Sequence, residues 1–507
     1  MRAAALLLAA LFLAASARAG DGERVFDVRS LRDASPERRA PRLGLSLGGS
    51  LLGSWDLEET EEAAGLAIEE VLGRLGAGDA ALLGDGFVVA RGEEVAAALG
   101  SLGADARRRV RIRVEATGRD GATVGGELLA LPGRWATIER TRRRSLLLDS
   151  DIELACDNSG GLHPSTIADP IMTGVFDGFA VDARPFFVRD GAGVAFEALV
   201  QAGGIEEPVE RFRLGALRHG DLDLPRYRGV LLLCSGSGTE EVRVALRGEE
   251  LAVRLDPEVE GGAGEGPARF LDAGLVLLPA GGLPAMDPEG DEESWADWTR
   301  LAAVPQRRPP LAGPLPADLL APGLVAGPAV AVAGTREEVA AAGRALDALA
   351  APAARAVTVG LVLRAGGEVL ATAEFPVLDG REGVLRAGRE RMVLADSDVE
   401  VGCFTQVPDP NTVPIFEGLL VQARPRVSPS GGAVLLDVAL RFAVLDGEPV
   451  VRPSLDPING ATHTVRVVER ETEADLFLGS GASTRLALGR LPDGRPLSAE
   501  VSARVSH

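Results

Sequence analysis

The chain has 507 residues, a formal net charge of −21, 46% apolar residues, only 4% aromatic residues and three cysteines. So acidic a chain excludes nucleic acid and anionic head groups as natural ligands, because binding either depends on neutralising phosphate. Three cysteines over this length exclude a disulfide framework. With one tyrosine, Tyr227, and no lysine, cores must rest on Leu, Val and Ala, and Arg carries the positive side-chain charge.

Residues 1–19 read as a secretory signal peptide: Met1-Arg2 is charged, Ala3–Ala15 is apolar, and Ala17-Arg18-Ala19 fits a small-x-small cleavage site. The apolar run is short against the ~20 residues of a bilayer span. "RVFDVRSL" from Arg24 predicts a strand. A helix follows over Glu58–Leu75, with Ala64, Leu66, Ala67, Val71, Leu72 and Leu75 at near-helical spacing. "DGFVVAR" predicts a strand, "GEEVAAALGSLG" a helix and "RVRIRVEATG" a strand. Residues 22–120 are therefore expected to form a small βαββ-type unit. From 121 to 257 the signal becomes short alternating segments, such as "LLLDSDIELAC", "FAVDARPFFV", "GVAFEALVQA" and "VLLLCSG". Such segments, cut by Gly and Asp turns, predict an antiparallel β domain with strands near seven residues long.

The pattern then starts again. "DSDIELAC" (Asp149–Cys156) returns as "DSDVEVGC" (Asp396–Cys403), "EEVAAALGSL" from Glu93 as "EEVAAAGRAL" from Glu337, and "DGFAVDARP" from Asp177 as "EGLLVQARP" from Glu417. Gly133-Arg134 matches Gly380-Arg381, and Ser237-Gly238 matches Ser480-Gly481. The matches keep their order at a near-constant offset, far longer than a solenoid repeat. Residues 258–268 are a Gly-rich linker. Residues 269–365 are expected to be a degenerate α/β unit in which the Pro-rich stretch Gln306–Gly323 replaces a helix, and 366–507 a second antiparallel β domain. The expected fold class is α+β, in two tandem copies.

Two stretches carry a resemblance. "LLGDGFVVARGEEVAAALGSLGADARRRVRIRVEA" from Leu82 resembles the ring-building periplasmic N-domains of the secretin family. "FDGFAVDARPFFVRDGAGVAFEALV" and "FEGLLVQARPRVSPSGGAVLLDVAL" are similar to strands of the secretin β domain. The resemblance implies an exported, non-enzymatic protein in the periplasm or at the outer membrane, a structural or assembly component related to type II or III protein secretion. Its implied partners are copies of itself or parts of a secretion apparatus. The chain lacks the family's Val-Pro-x-Leu…Ile-Pro gate stretch and a long pair of amphipathic membrane hairpins, so the architecture is implied rather than a working channel. An exported ligand-binding module and a hydrolase are the alternatives from other classes.

No catalytic, cofactor-binding or metal residue is assigned, and no cofactor is expected. Asp149/Asp151 and Asp396/Asp398 could serve acid–base work or Ca²⁺. They read better as acidic strand entries near Arg142–Arg144 and Arg389/Arg391. Cys156, Cys234 and Cys403 read as small buried apolar side chains, with Phe477 as the counterpart of Cys234. Ser46 in "GLSLG" matches a nucleophile elbow but lacks the strand and helix that motif needs. His163, His219, His463 and His507 are too far apart in sequence for a metal pattern. Arg184-Pro185 and Arg424-Pro425 suit an edge strand or a bulge. Alternation buries Phe196 and Leu436. Strands near seven residues fall short of the ~9–11 of a membrane strand, which points to a core closed within each module.

Overall fold

The computed structural model describes residues 108–118, 123–155, 165–189, 192–212, 221–246, 249–263, 268–272, 323–326, 329–333, 335–401, 406–453 and 461–506, with short pieces between 23 and 105. In the first half the strands are Glu23–Asp27 (β1), Ala81–Leu83 (β2), Phe87–Arg91 (β3), Arg109–Gly118 (β4), Thr123–Ala130 (β5), Ala136–Ala155 (β6), Ser165–Val188 (β7), Gly193–Phe212 (β8), Leu222–Ser237 (β9), Glu240–Leu246 (β10) and Glu249–Glu260 (β11). The second half contributes Ala268–Asp272 (β12), Gly323–Ala326 (β13), Ala329–Ala333 (β14), Ala356–Ala365 (β15), Glu368–Leu378 (β16), Gly383–Val401 (β17), Gln406–Val427 (β18), Ala433–Leu445 (β19), Val450–Pro453 (β20), Ala461–Thr464 (β21), Val467–Gly479 (β22), Ala482–Arg490 (β23) and Pro496–Val505 (β24). The one helix with described bounds is Arg336–Ala353 (α1). Thr335 caps it: its hydroxyl accepts from Glu338 N at 3.3 Å, and Glu338 reaches back to Thr335 N at 2.8 Å.

Two eight-stranded antiparallel sheets make up the body. The short-strand sheet runs β23-β24-β15-β16-β10-β11-β4-β5, and the long-strand sheet runs β22-β19-β18-β17-β9-β8-β7-β6. They pack face to face. Val110, Ile112 and Val114 of β4, Phe375 of β16 and Val501 of β24 share one core with Phe196 of β8, Cys234 of β9 and Leu436 of β19. Period-two alternation builds this core, because successive side chains on a strand point to opposite faces. β4 shows it plainly, with Val110, Ile112, Val114 and Ala116 buried and the arginines between them turned outward.

This architecture corrects the α+β expectation. The chain is predominantly β, and the βαββ unit does not form. "RVRIRVEATG" (β4) leaves the N-terminal strands, pairing instead with β5 on one side and β11 on the other. Its four buried apolar residues need the broad core that only the large sheets offer. Among the described residues, what stays behind in each half is a three-stranded sheet, β1-β3-β2 and β12-β14-β13, with α1 against the second; the helix expected over Glu58–Leu75 lies outside the described residues.

The expectation of strands near seven residues is also overturned: β7 has 24 residues, β18 has 22, and β6 and β8 have 20 each. Gly is expected to mark turns between these segments, but several glycines lie inside strands. Gly178, Gly203, Gly229, Gly388 and Gly418 stand opposite one another in a single row across β7, β8, β9, β17 and β18. Four of them leave room for rings, and Gly178 lets the backbone of Arg140 and Thr141 come close. A Cβ on Gly203 or Gly229 would come within 3 Å of the Tyr227 ring, and one on Gly388 or Gly418 as close to Phe416. An aromatic ring laid over strand glycines restores the packing their missing side chains give up.

Pro185 and Pro425 lie on interior strands, not on edges. Their neighbours β6 and β17 have each just ended in a turn, from which Gly133 N and Gly380 N donate to the Pro185 and Pro425 carbonyls, both at 2.7 Å. The missing proline N–H therefore faces a turn and costs no ladder bond. Beyond the glycine row the long-strand sheet rolls up until β6 meets β18, where the Thr412 hydroxyl donates to Leu148 O at 2.7 Å. Leu146, Leu148, Val175, Leu224, Tyr227 and Met392 pack together inside this roll.

Candidate functional site: the seam between the halves

Neither large sheet belongs to one half. The first half supplies β10-β11-β4-β5 and β9-β8-β7-β6, and the second supplies β23-β24-β15-β16 and β22-β19-β18-β17 in the same order. The halves meet head to tail. β16 pairs with β10 from Arg243↔Glu374 to Leu246↔Ala371, and β17 pairs with β9 from Val384↔Leu233 to Arg391↔Arg226. A different edge of each half enters the seam. No described strand pairs with the outer edges of the counterparts β5, β6, β22 and β23.

Two charged clusters are buried at the seam, on the face of the long-strand sheet away from the main core. In the first, Glu197 on β8 lies between two arginines. Arg184, opposite it on β7, donates from Nε at 3.1 Å, and Arg381 of the second half donates from Nη1 at 2.8 Å. All three are at most 4% exposed. Arg381 sits in the turn between β16 and β17, and burial pushes its pKa down while Glu197 pulls it back up. Phe186 lies under both guanidinium groups, 5.4 Å from Arg184 and 5.9 Å from Arg381. The turn is fixed across the seam by Leu378 N, which donates to the Ser235 hydroxyl of β9 at 2.9 Å.

The second cluster lies on the glycine row. Arg386 and Glu390 pair with each other over Gly388, which has no side chain to keep them apart. The Arg386 guanidinium stands 4.3 Å from the centroid of Phe416. Burial pushes the Arg386 pKa down, and burial, then Glu390, pushes the Tyr227 hydroxyl up. Arg386 and Glu390 are thus held as a buried ion pair beside the seam.

At the outer edge the ladder position of Glu197 is taken by Asp437 on β19. Arg424 stands opposite it as Arg184 does opposite Glu197, but its other neighbour is Asp475, where Glu197 has Ser235. Two acids therefore face each other directly. Burial first, then the hydrogen bond and charge of Asp475, raises the Asp437 pKa. Arg426 is the nearest cation, at 3.8 Å. Glu469, Glu471, Glu473, Asp475 and Phe477 alternate along the same face of β22, all exposed.

The residues singled out in the sequence fall elsewhere. Asp149/Asp151 and Asp396/Asp398 lie within β6 and β17, just past the same bulge in each, so they are not strand entries. Their side chains, together with Cys156, Cys403, Ser46, His163, His219 and His507, lie outside the described residues. Cys234 is buried opposite Ala198, and burial drives its thiol pKa up. The matching ladder pair in the second half is Val438 with Ala474, so Ala474 and not Phe477 is the counterpart of Cys234. His463 Nδ1 accepts from Leu394 N at 3.2 Å. Among the described residues no group of three or more His, Cys, Asp or Glu is placed to hold a metal. A groove of about 420 Å³ opens on the outer face of the short-strand sheet, lined by Arg243, Thr358, Glu374, Ser502 and Arg504; its charges are matched internally, with Arg504 donating to Glu374 at 3.1 Å.

The signal for the seam was present in the sequence as the match of Gly133-Arg134 to Gly380-Arg381. What hid it is that Glu197 aligns with an aspartate and that the partners come from opposite halves. No protein-family model matches the chain, and no curated protein matches it.

Proposed function

We propose that this chain is a non-enzymatic structural component of the cell envelope, related to the secretins, which acts by assembling with further copies of itself. The supporting observation is the head-to-tail seam: each half presents one edge that joins and one that is left at the end of both sheets. A heterologous joint of this kind does not use itself up. It repeats until a ring closes or a filament grows. The signal-like residues 1–19 support export.

Strands of 16–24 residues in β6 to β9 also remove the argument from strand length against a membrane wall. No described helix is long and apolar enough to cross a membrane. Size-exclusion chromatography with light scattering on the purified chain tests the reading. Species of several copies are expected, and a monomer at all concentrations would overturn it. Carbonate extraction of the envelope fraction then separates a membrane-inserted assembly from a peripheral one.

A further inference from the structure

The seam inside the chain has a counterpart at its two ends, and the residues at those ends are complementary. The turn Leu131–Arg134 has the hydrogen bonding of the turn Leu378–Arg381: Arg134 N donates to Leu131 O at 3.1 Å and Arg381 N to Leu378 O at 2.8 Å. Gly133 and Gly380 take the same left-handed conformation, at φ 74° and 71°. Arg381 uses that position to reach across the seam to the acid of the other half. Arg134 occupies the same position at the outer edge, and the acid in the place of Glu197 is Asp437, at the opposite end of the molecule.

We infer that a second copy of this chain docks its β5–β6 edge on the β22–β23 edge of the first, placing its Arg134 against the Asp437–Asp475 pair as Arg381 is placed against Glu197. The inference rests on the assembly reading above and names the contact that would carry it.

Three observations converge on this occupant. The first is continuity: the seam pairs β17 over Val384–Arg391, and the matching stretch of β6 is Thr137–Arg144, ahead of the part that rolls onto β18 at Leu148. The second is charge. Thr137–Arg144 holds four arginines and one glutamate, and Arg466–Glu473, the stretch along β22 that matches Arg226–Leu233 of β9, holds three glutamates and two arginines. Two β22 edges would repel each other, and so would two β6 edges. Like charges on an edge strand discourage self-pairing, and the opposite net charges of the two stretches favour the head-to-tail pairing. The third is the acid pair itself. Asp475 stands directly opposite Asp437 in the ladder. Like charges so placed are destabilising, and a guanidinium with a planar fork of donors is the group that reconciles two carboxylates.

Complementary edge variants of the full chain test the inference. Arg134→Glu blocks one edge, and Asp437→Arg combined with Asp475→Arg blocks the other. Each variant alone should run as a monomer where the wild type assembles. Mixed in equal amounts they should associate again, because the intact edge of each meets the intact edge of the other and the two reversed edges are once more opposite in charge. Circular dichroism and a thermal melt confirm folding, and Arg134→Gln serves as the milder form of the first variant. If Arg134→Glu and Arg134→Gln assemble as the wild type does, the contact is wrong while the assembly reading stands. If the folded variants are each monomeric but do not associate on mixing, the contact is also wrong. A monomeric wild type at all concentrations would overturn both.

Discussion

The inner seam and the outer edges are built from the same strands in the same order, yet their chemistry differs. At the seam β9 presents Leu231, Leu233 and Ser235, which are buried against Leu199 and Val384 or hydrogen-bonded to Leu378 N. At the edge β22 presents Glu471, Glu473 and Asp475 at the matching positions, all exposed. A permanently covered joint can use leucine. An edge that meets water carries charge instead. The difference teaches that the same edge of the two repeats is apolar where the sheet continues and charged where it ends.

The largest effect that could break this comparison is at the buried acid. Glu197→Gln leaves Arg184 and Arg381 without their carboxylate and should cost about 3–5 kcal/mol, the usual loss when one partner of a buried pair is removed. Asp437→Asn at the half-exposed counterpart should cost less than about 1 kcal/mol. Urea denaturation of both variants measures the two values, and equal losses would mean that the seam and the edge are not different environments.

A second contrast lies along the glycine row. Gly388→Val drives a side chain into Phe416 and the neighbouring backbone, and should cost about 1–3 kcal/mol as other overpacked cores do. The same ladder position at the outer edge is Thr141, already a β-branched residue, opposite Gly178. Thr141→Gly should lose only about 0.5–1 kcal/mol, from backbone entropy. Thermal melts of the pair show whether the row must be glycine only where strands continue on both sides.

Smaller effects sharpen the comparison. Cys234→Ala should cost on the order of 1 kcal/mol, and mass spectrometry of the unreduced protein should show Cys234 without a cross-link. A Cys234 cross-linked peptide would contradict its place in the core. Asp475→Ser gives the edge the residue found at the seam and removes the like-charge pair. It should raise the stability of the unassembled chain by a few tenths of a kcal/mol, while weakening association measured by light scattering.

What the sequence determined by itself is the content of the cores and the internal likeness of the halves. Period-two alternation is a property of the extended backbone, so Val181, Ala183, Phe196, Leu436 and Leu440 could be placed on one buried face without knowing what covers it. Only the tertiary structure decided strand length, because Gly203 and Pro185 break a strand or sit in one according to whether a ring or a turn lies beside them. It also decided the fold class: β4 has the alternation of a strand in either setting, and the large core drew it away from β1 and β3. The sequence held Arg381 and Glu197 as well, separated by 184 positions. Nothing local links an arginine in one turn to a glutamate in a distant strand, and only the head-to-tail joining of the two halves brings them within hydrogen-bond reach.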